Sequence, residues 1–144
     1  MLMSLEVTYE NNFHGVMFTY HHELSGMETI AANNALYASP NADKLRYAII
    51  DLRDIDTVDI TTEQMSILAQ QDNEEAAKAS GQKLAIVVDN DLIHGVSSFY
   101  SLYVNSSIIE ARTFNTMEEA RSWIDGLFNN KKWYKTSAVK KLLA

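Results

Sequence analysis

The 144-residue chain contains no cysteine, one proline and only five glycines. Without cysteine, no disulfide framework, thiolate nucleophile or cysteine-ligated zinc site can form. The glycines, at positions 15, 26, 81, 95 and 126, never lie within ten positions of one another. Neither a G-x-G-x-x-G fingerprint nor a phosphate-binding P-loop can therefore be written. No dinucleotide, triphosphate or other cofactor is predicted.

Long apolar runs are also absent. No stretch approaches the ~18 consecutive apolar residues of a membrane-spanning helix, and the first residues, MLMSLEVTYENNF, show no signal-peptide pattern. No transmembrane segment is predicted, and a cytoplasmic protein is expected.

The charge is unevenly distributed. Residues 1–130 carry all 19 acidic side chains and seven of the 12 basic ones, whereas residues 131–144 carry five lysines and no acid. The acidic body should repel phosphate backbones, so nucleic acid is not an expected partner. The basic tail, 131–144, is predicted to form a short helix that docks on the acidic body or on a twin subunit, with a membrane or partner contact as the alternative.

The apolar pattern predicts alternating strands and helices. Strands are predicted at residues 4–10, 14–22, 45–52, 83–89 and 108–114, the last at a sheet edge. Helices are predicted at residues 25–39, 61–81, 91–105 and 116–128. Capping boxes open three of them: Ser25 with Glu28, Thr61 with Gln64, and Thr116 with Glu119. The apolar face of the first helix is predicted to hold Met27, Ile30, Ala31, Ala35 and Leu36.

The resulting order, β-β-α-β-α-β-α-β-α, predicts one α/β domain over residues 1–130. Its sheet of about five strands should be mixed, mostly parallel and covered by helices.

An acidic stretch follows the third predicted strand in AIIDLRDIDTVDITTEQMSIL, residues 48–68. Its DIDTV segment resembles the aspartate pair of haloacid-dehalogenase-type phosphatases, but Asp51 already ends the strand three positions before that motif. The glycine and glutamate of an EF-hand are missing. We interpret the stretch as a solvated acidic loop in which Asp59 or Thr61 caps the next helix, and no metal site is predicted. Asp51 remains the candidate ligand-contacting residue of this stretch, because open α/β sheets bind ligands at the carboxyl ends of strands.

Four histidines, at positions 14, 21, 22 and 94, are the candidates for a base near neutral pH. None has metal-ligand spacing, and no histidine follows residue 94 to complete the chain order of an α/β-hydrolase triad. We expect no enzyme. A hydrolase that uses Asp51 or His94 is kept as an alternative.

The segment SSFYSLYV, residues 97–104, concentrates aromatic side chains. Helical spacing places Phe99 and Tyr103 on one face, with Tyr100 beside them. Core packing is one interpretation. The other is that this helix faces a twin subunit or lines a ligand cavity, because tyrosine is favoured at interfaces.

The element order and four stretches resemble the SpoIIAA-like branch of the STAS superfamily, the fold of bacterial anti-sigma-factor antagonists. The stretches are AIIDLRDIDTVDITTEQMSIL, KLAIVVDN, HGVSSFYSLYV and ARTFNTMEEARSWI. In phosphorylation-switched antagonists an Asp-Ser-Ser-Gly sequence follows the strand, and its first serine accepts the phosphate. The residues here that match that sequence are Asp59, Ile60, Thr61 and Thr62. The resemblance therefore implies the fold without the usual acceptor hydroxyl.

The resemblance implies a non-enzymatic regulatory or protein-interaction module, expected to be a homodimer with an unidentified protein partner. One predicted surface is the junction between the third predicted strand and the second predicted helix, with Asp51, Asp54, Asp59, Ile60, Thr61 and Thr62. The other is the aromatic helix, with His94, Phe99, Tyr100 and Tyr103. The alternative function is a carrier or sensor of a small apolar, lipid-like ligand, because the wider relatives include lipid-carrying domains with a ligand beneath a movable helix.

Overall fold

The structure, a computed structural model, describes residues 4–78, 81–91, 93, 95, 98, 100, 104–105 and 107–130, of which 127–130 are described by backbone alone. The strands are β1 Leu5–Glu10, β2 Gly15–Ser25, β3 Tyr47–Asp59, β4 Gln82–Val87 and β5 Ile109–Phe114. The helices are α1 Gly26–Ala38, α2 Thr62–Lys78 and α3 Met117–Asn130, with a short 3-10 turn at Ala42–Lys44. Within residues 91–100, called the 91–100 segment below, all five described residues are helical. The predicted tail 131–144 lies outside the described residues.

The five strands form one mixed sheet in the order β1-β2-β3-β4-β5. β1 pairs antiparallel with β2 as the predicted hairpin, and β2, β3, β4 and β5 pair in parallel. β3 is central, and β5 takes the edge position predicted for it. The predicted α/β class, the element order and the mostly parallel sheet are confirmed.

The core lies on both faces of the sheet. On one face, the inward side chains of β2 and β3 pack with Leu36 of α1 and with Ile93 of the 91–100 segment. On the other face, Ile49 and Val87 pack against Ala120 and Ile124 of α3. Burial on both sides explains why β3 and β4 begin as nearly continuous apolar runs.

The third strand is longer than predicted. β3 continues to Asp59 because β2 pairs with it over the whole acidic stretch, ending at Ser25 opposite Asp59. Leu52 and Ile55 point inward and are buried. Two register shifts accompany this pairing, and His22 there has a positive φ of 66°, as in a β-bulge. The predicted acidic loop is therefore wrong: only Ile60 and Thr61 separate β3 from α2.

Helix α1 is rotated relative to its predicted apolar face. Met27 is 74% exposed, and Ala31 and Ala35 are exposed as well, whereas Thr29 and Asn33 are buried. The polar residues turn inward because they find hydrogen-bond partners there, described below. The predicted start is confirmed, since the Ser25 hydroxyl accepts a hydrogen bond from the Glu28 backbone at 3.2 Å.

Candidate functional site

A carboxylate, Asp72, lies on the inward side of α2, on the same stripe as the buried residues Ala69 and Ala76. Its Oδ1 accepts hydrogen bonds from Asn33 Nδ2 at 3.2 Å and from the Tyr37 hydroxyl at 2.5 Å, both on α1. Its Oδ2 accepts a hydrogen bond from the Tyr100 hydroxyl. We call Asp72, Asn33, Tyr37 and Tyr100 the Asp72 cluster. It joins α1, α2 and the 91–100 segment.

Burial sets the acidity of this cluster. Desolvation raises the pKa of Asp72 to about 6, although the hydrogen bonds from Tyr100, Tyr37 and Asn33 favour the charged form and lower the pKa. Desolvation and the nearby carboxylate also raise the pKa of both phenols. Near neutral pH, Asp72 is therefore the member of the cluster that changes charge.

A cavity of about 110 Å³ adjoins the cluster, between the sheet and helices α1 and α2. Its lining is mostly apolar and includes Phe18, Leu36, Ile50, Met65, Leu68 and Ile86. The polar lining includes Thr29 together with the Asp72 cluster. Thr29 is itself satisfied, because its hydroxyl lies 2.8 Å from the Tyr20 hydroxyl and donates to the Ser25 carbonyl at 2.8 Å.

The cavity volume bounds the size of an occupant. An apolar cavity of about 150 Å³ holds one benzene molecule. A space of about 110 Å³ is smaller, so it suits a compact molecule of at most about six non-hydrogen atoms.

The predicted junction is divided between the cavity and the surface. Ile60, which matches the phosphate-accepting serine, is half-buried and lines the cavity. Thr61 forms a complete capping box: its hydroxyl accepts from Gln64 N at 3.0 Å, and its own N–H donates to Gln64 Oε1 at 2.9 Å. Asp59 and Thr62 are exposed. The position of the acceptor thus holds an inward apolar side chain, and the following hydroxyl caps α2.

The acids on β3 have partners on the strand surface. Arg53 binds both carboxylate oxygens of Asp51 at 2.9 Å. Burial raises the pKa of Asp51, but the hydrogen bonds and charge of Arg53 outweigh it and hold that pKa below its usual value. His21 bridges Asp54 at 3.2 Å and Glu6 at 3.4 Å, and both hydrogen bonds raise the pKa of the imidazole. Neither Asp51 nor Asp54 lines the cavity.

The aromatic helix contributes Tyr100 to the Asp72 cluster. The other residues predicted with it, His94, Phe99 and Tyr103, lie outside the described residues. Over the described ranges, no three metal-ligating side chains converge. Likewise, none of the helices described is long and apolar enough to cross a membrane.

Sequence reasoning missed Asp72, Asn33 and Tyr37. A signal was present, since Asp72 interrupts the apolar stripe of α2 at helical spacing from Ala69 and Ala76. A polar residue on an inward stripe is informative because burying it requires a partner. Which residue on α1 supplies that partner depends on how the two helices pack.

Comparison with solved structures finds the same fold. The structure is similar to an uncharacterized protein of the DUF3478 family with a SpoIIAA-like fold from Shewanella loihica PV-4. The likeness has a TM-score of 0.50 and 15% sequence identity, and it covers 83% of this chain and 90% of that chain. No protein family and no curated protein matches the sequence. The predicted resemblance to SpoIIAA-like proteins is confirmed, and at this identity it shows the fold alone.

Proposed function

We propose that this SpoIIAA-like protein is a non-enzymatic binding module whose cavity takes a small, largely apolar molecule. The observation that carries the proposal is the cavity itself: apolar side chains from the sheet and two helices line a volume of about 110 Å³, and its polar lining comprises the Asp72 cluster and a few other residues, among them Thr29, Gln82 and Lys83. Ligand sites are typically concave and mainly apolar, with a few polar groups that orient the ligand.

Binding fits this site better than turnover. General acid–base catalysis requires groups whose pKa lies near the working pH. The phenols of Tyr37 and Tyr100 have raised pKa values, so neither can exchange a proton near neutral pH. Asp72 is therefore the one group of its cluster that can act as an acid or base there. The Asp51 carboxylate of the alternative hydrolase is bound by Arg53 and lies off the cavity.

Regulation by phosphate at the junction is not part of the proposal. Ile60 has no hydroxyl, and the hydroxyl of Thr61 is engaged in capping α2. A ligand in the cavity would instead contact Ile60 and Tyr100 from inside. Occupancy is thus expected to act on the start of α2 and on the 91–100 segment.

The test is a cavity-filling variant. Ala48 of β3 lines the cavity, so Ala48→Leu adds three carbon atoms to that space. Ala35→Leu adds the same atoms at an exposed position of α1 and is the matched control. Titration of cyclopentanol, followed by amide NMR shifts, should show binding to the wild type and to Ala35→Leu. Ala48→Leu should weaken binding at least about tenfold, because the volume is taken.

Thermal melting shows whether both variants remain folded. Equal affinity for Ala48→Leu and the wild type would place the ligand elsewhere. Native mass spectrometry of protein taken from its cells would add the mass of a natural occupant.

A second function, binding of a protein partner, is favoured by the shape of the sheet. β4 pairs with β3 only as far as Asp51, and the last backbone hydrogen bond on the β1 side of β2 runs from His21 N to the Ser4 carbonyl at 2.7 Å. Residues 22–25 and 52–59 therefore continue as a two-stranded ribbon, with no further strand beside it in the described part of the chain. Unpaired strand edges recruit extended segments of other chains.

The ribbon carries exposed carboxylates at Asp54, Asp56 and Asp59, so the expected partner segment is basic. The double variant Asp54→Asn/Asp56→Asn should lose salt-sensitive capture of such a partner. Glu118→Gln, an exposed acid on α3, should keep it. Retained capture by the double variant would remove the ribbon as the binding surface.

A further inference from the structure

We propose that the ligand of this cavity carries a protonated amino group on its compact apolar body, and that the Asp72 carboxylate binds that group. This inference rests on the proposed ligand-binding function. It names the chemical class of the ligand, a small aliphatic or alicyclic amine.

The described residues leave one acceptor position of Asp72 unoccupied. A carboxylate offers about four acceptor sites, two on each oxygen. Among the described residues, Oδ1 accepts two hydrogen bonds, from Asn33 and Tyr37, whereas Oδ2 accepts one, from Tyr100. Asp72 lines the cavity, so a ligand there lies near this remaining acceptor site on Oδ2. An N–H of the ligand can therefore complete the shell of Asp72.

The charge of the site also favours a cation. Asp72 is half-buried, and carboxylates withdrawn from water are normally paired with a positive charge. In the described ranges, the ion pairs engage other carboxylates, and no lysine, arginine or histidine pairs with Asp72. Among the described residues, the groups outside the cluster that act electrostatically on its phenols are Tyr20, which is neutral at neutral pH, and the acid Glu75. Lys83 also lines the cavity, but its ion pair is with Glu110.

The rest of the lining excludes a bare metal ion. Calcium and magnesium require about six oxygen ligands, most of them charged or water. Among the described lining residues Asp72 is the one carboxylate, hydrogen-bond donors surround it, and most of the other walls are apolar. An ammonium group with a hydrocarbon body satisfies the carboxylate and the apolar walls together.

The experiment compares cyclopentylamine with cyclopentanol, which share one ring and differ in the polar group. Both have about six non-hydrogen atoms, the size that the cavity suits. Affinities are measured by NMR titration at about pH 7.5, where the amine is protonated and Asp72 ionised. The wild type should bind the amine at least about tenfold more tightly than the alcohol. Asp72→Asn, which keeps the side-chain shape, should remove this preference, measured as the ratio of the two affinities in the same variant.

A second measurement needs no variant. Between about pH 7.5 and pH 5, protonation of Asp72 should weaken binding of the amine to the wild type about tenfold, whereas binding of cyclopentanol should not weaken. Equal affinity for the two compounds, or a preference for the amine that survives in Asp72→Asn, would overturn the inference and leave the proposed function standing. If neither compound binds, both are overturned.

Discussion

The hydroxyl of Tyr37 on α1 lies 2.5 Å from Oδ1 of Asp72 on α2. This hydrogen bond joins α1 to α2 through two residues that are 35 positions apart in the chain. The polar sides of the two helices therefore face each other there. Buried polar contacts of this kind are stabilising only when their partners are present. The pair therefore connects the stability of the fold with the chemistry of the cavity.

Stability should fall as the pH rises through the range in which Asp72 ionises. Its pKa rises from an ordinary 3.8 to about 6 in the folded protein, so between these values the folded state holds more protons than the unfolded state. The contribution of Asp72 is thus lost progressively from about pH 4 to pH 6. Its upper limit is about 3 kcal/mol.

Urea unfolding of the wild type and of Asp72→Asn at several pH values measures this effect. The stability of the wild type relative to the variant should decrease by up to about 3 kcal/mol from about pH 4 to about pH 7.5. A difference that is independent of pH would show that Asp72 ionises normally in the folded protein.

Thr61 should matter for stability and Thr62 should not. Thr61→Ala removes the hydroxyl that accepts from Gln64 N at 3.0 Å, with an expected loss of about 1 kcal/mol. Thr62 is the exposed first residue of α2, and Thr62→Ala should change the free energy of unfolding by less than about 0.5 kcal/mol. Chemical denaturation of the two variants gives both values. Equal effects would contradict the assignment of Thr61 as the cap.

Gly15→Ala should be strongly destabilising. A Cβ at Gly15 would lie 2.0 Å from Cζ of Tyr47, whose ring is buried and whose hydroxyl donates to Glu10 at 2.6 Å. Relief of that overlap requires movement of a packed ring, for which we expect a loss of about 1–3 kcal/mol.

The control for Gly15→Ala is Gly95→Ala in the helical 91–100 segment, where an added Cβ meets none of the described residues within 4 Å. That variant should be neutral or up to about 1 kcal/mol more stable. Thermal melting distinguishes the two variants. Equal melting temperatures would show that the Tyr47 ring moves aside without loss of stability.

Tyr100→Phe should act on Asp72 and leave the assembly state unchanged. The Tyr100 hydroxyl donates to Asp72 within the same chain and lowers the pKa of that carboxyl, so its removal should raise the pKa of Asp72 further. NMR titration of the carboxyl carbon follows the pKa, and analytical ultracentrifugation follows the assembly. Homodimerisation stays a prediction that the wild-type sedimentation coefficient decides. An altered coefficient in Tyr100→Phe would assign this tyrosine to a subunit contact.

Local patterns predicted most of the elements correctly. The hairpin, the central apolar strands and the helix starts at Ser25, Thr61 and Thr116 depend on contacts between residues close in sequence. The end of β3 was missed because aspartate disfavours strands when it is judged alone. Pairing with β2 supplies the backbone hydrogen bonds that keep residues 52–59 extended.

The candidate site shows the same division. The resemblance correctly predicted the SpoIIAA-like fold. The aromatic pattern singled out Tyr100, which lines the cavity, and its role in binding stays a prediction. Asn33 and Tyr37 were not predicted as site residues because the alanines of α1 are compatible with several choices of its buried face. Only contact with α2 selects the face that turns inward, since Asn33 and Tyr37 meet Asp72 there.

The sequence by itself determined the α/β class, the element order, the caps and the absence of thiol chemistry, because these follow from residue type and from interactions within a few positions. Tertiary structure alone decided that α1 buries a polar stripe, that Ile60 faces the cavity and that Asp72 meets its hydrogen-bond donors there. The physical reason is that burial of a polar side chain is favourable only when partners from distant parts of the chain are brought to it.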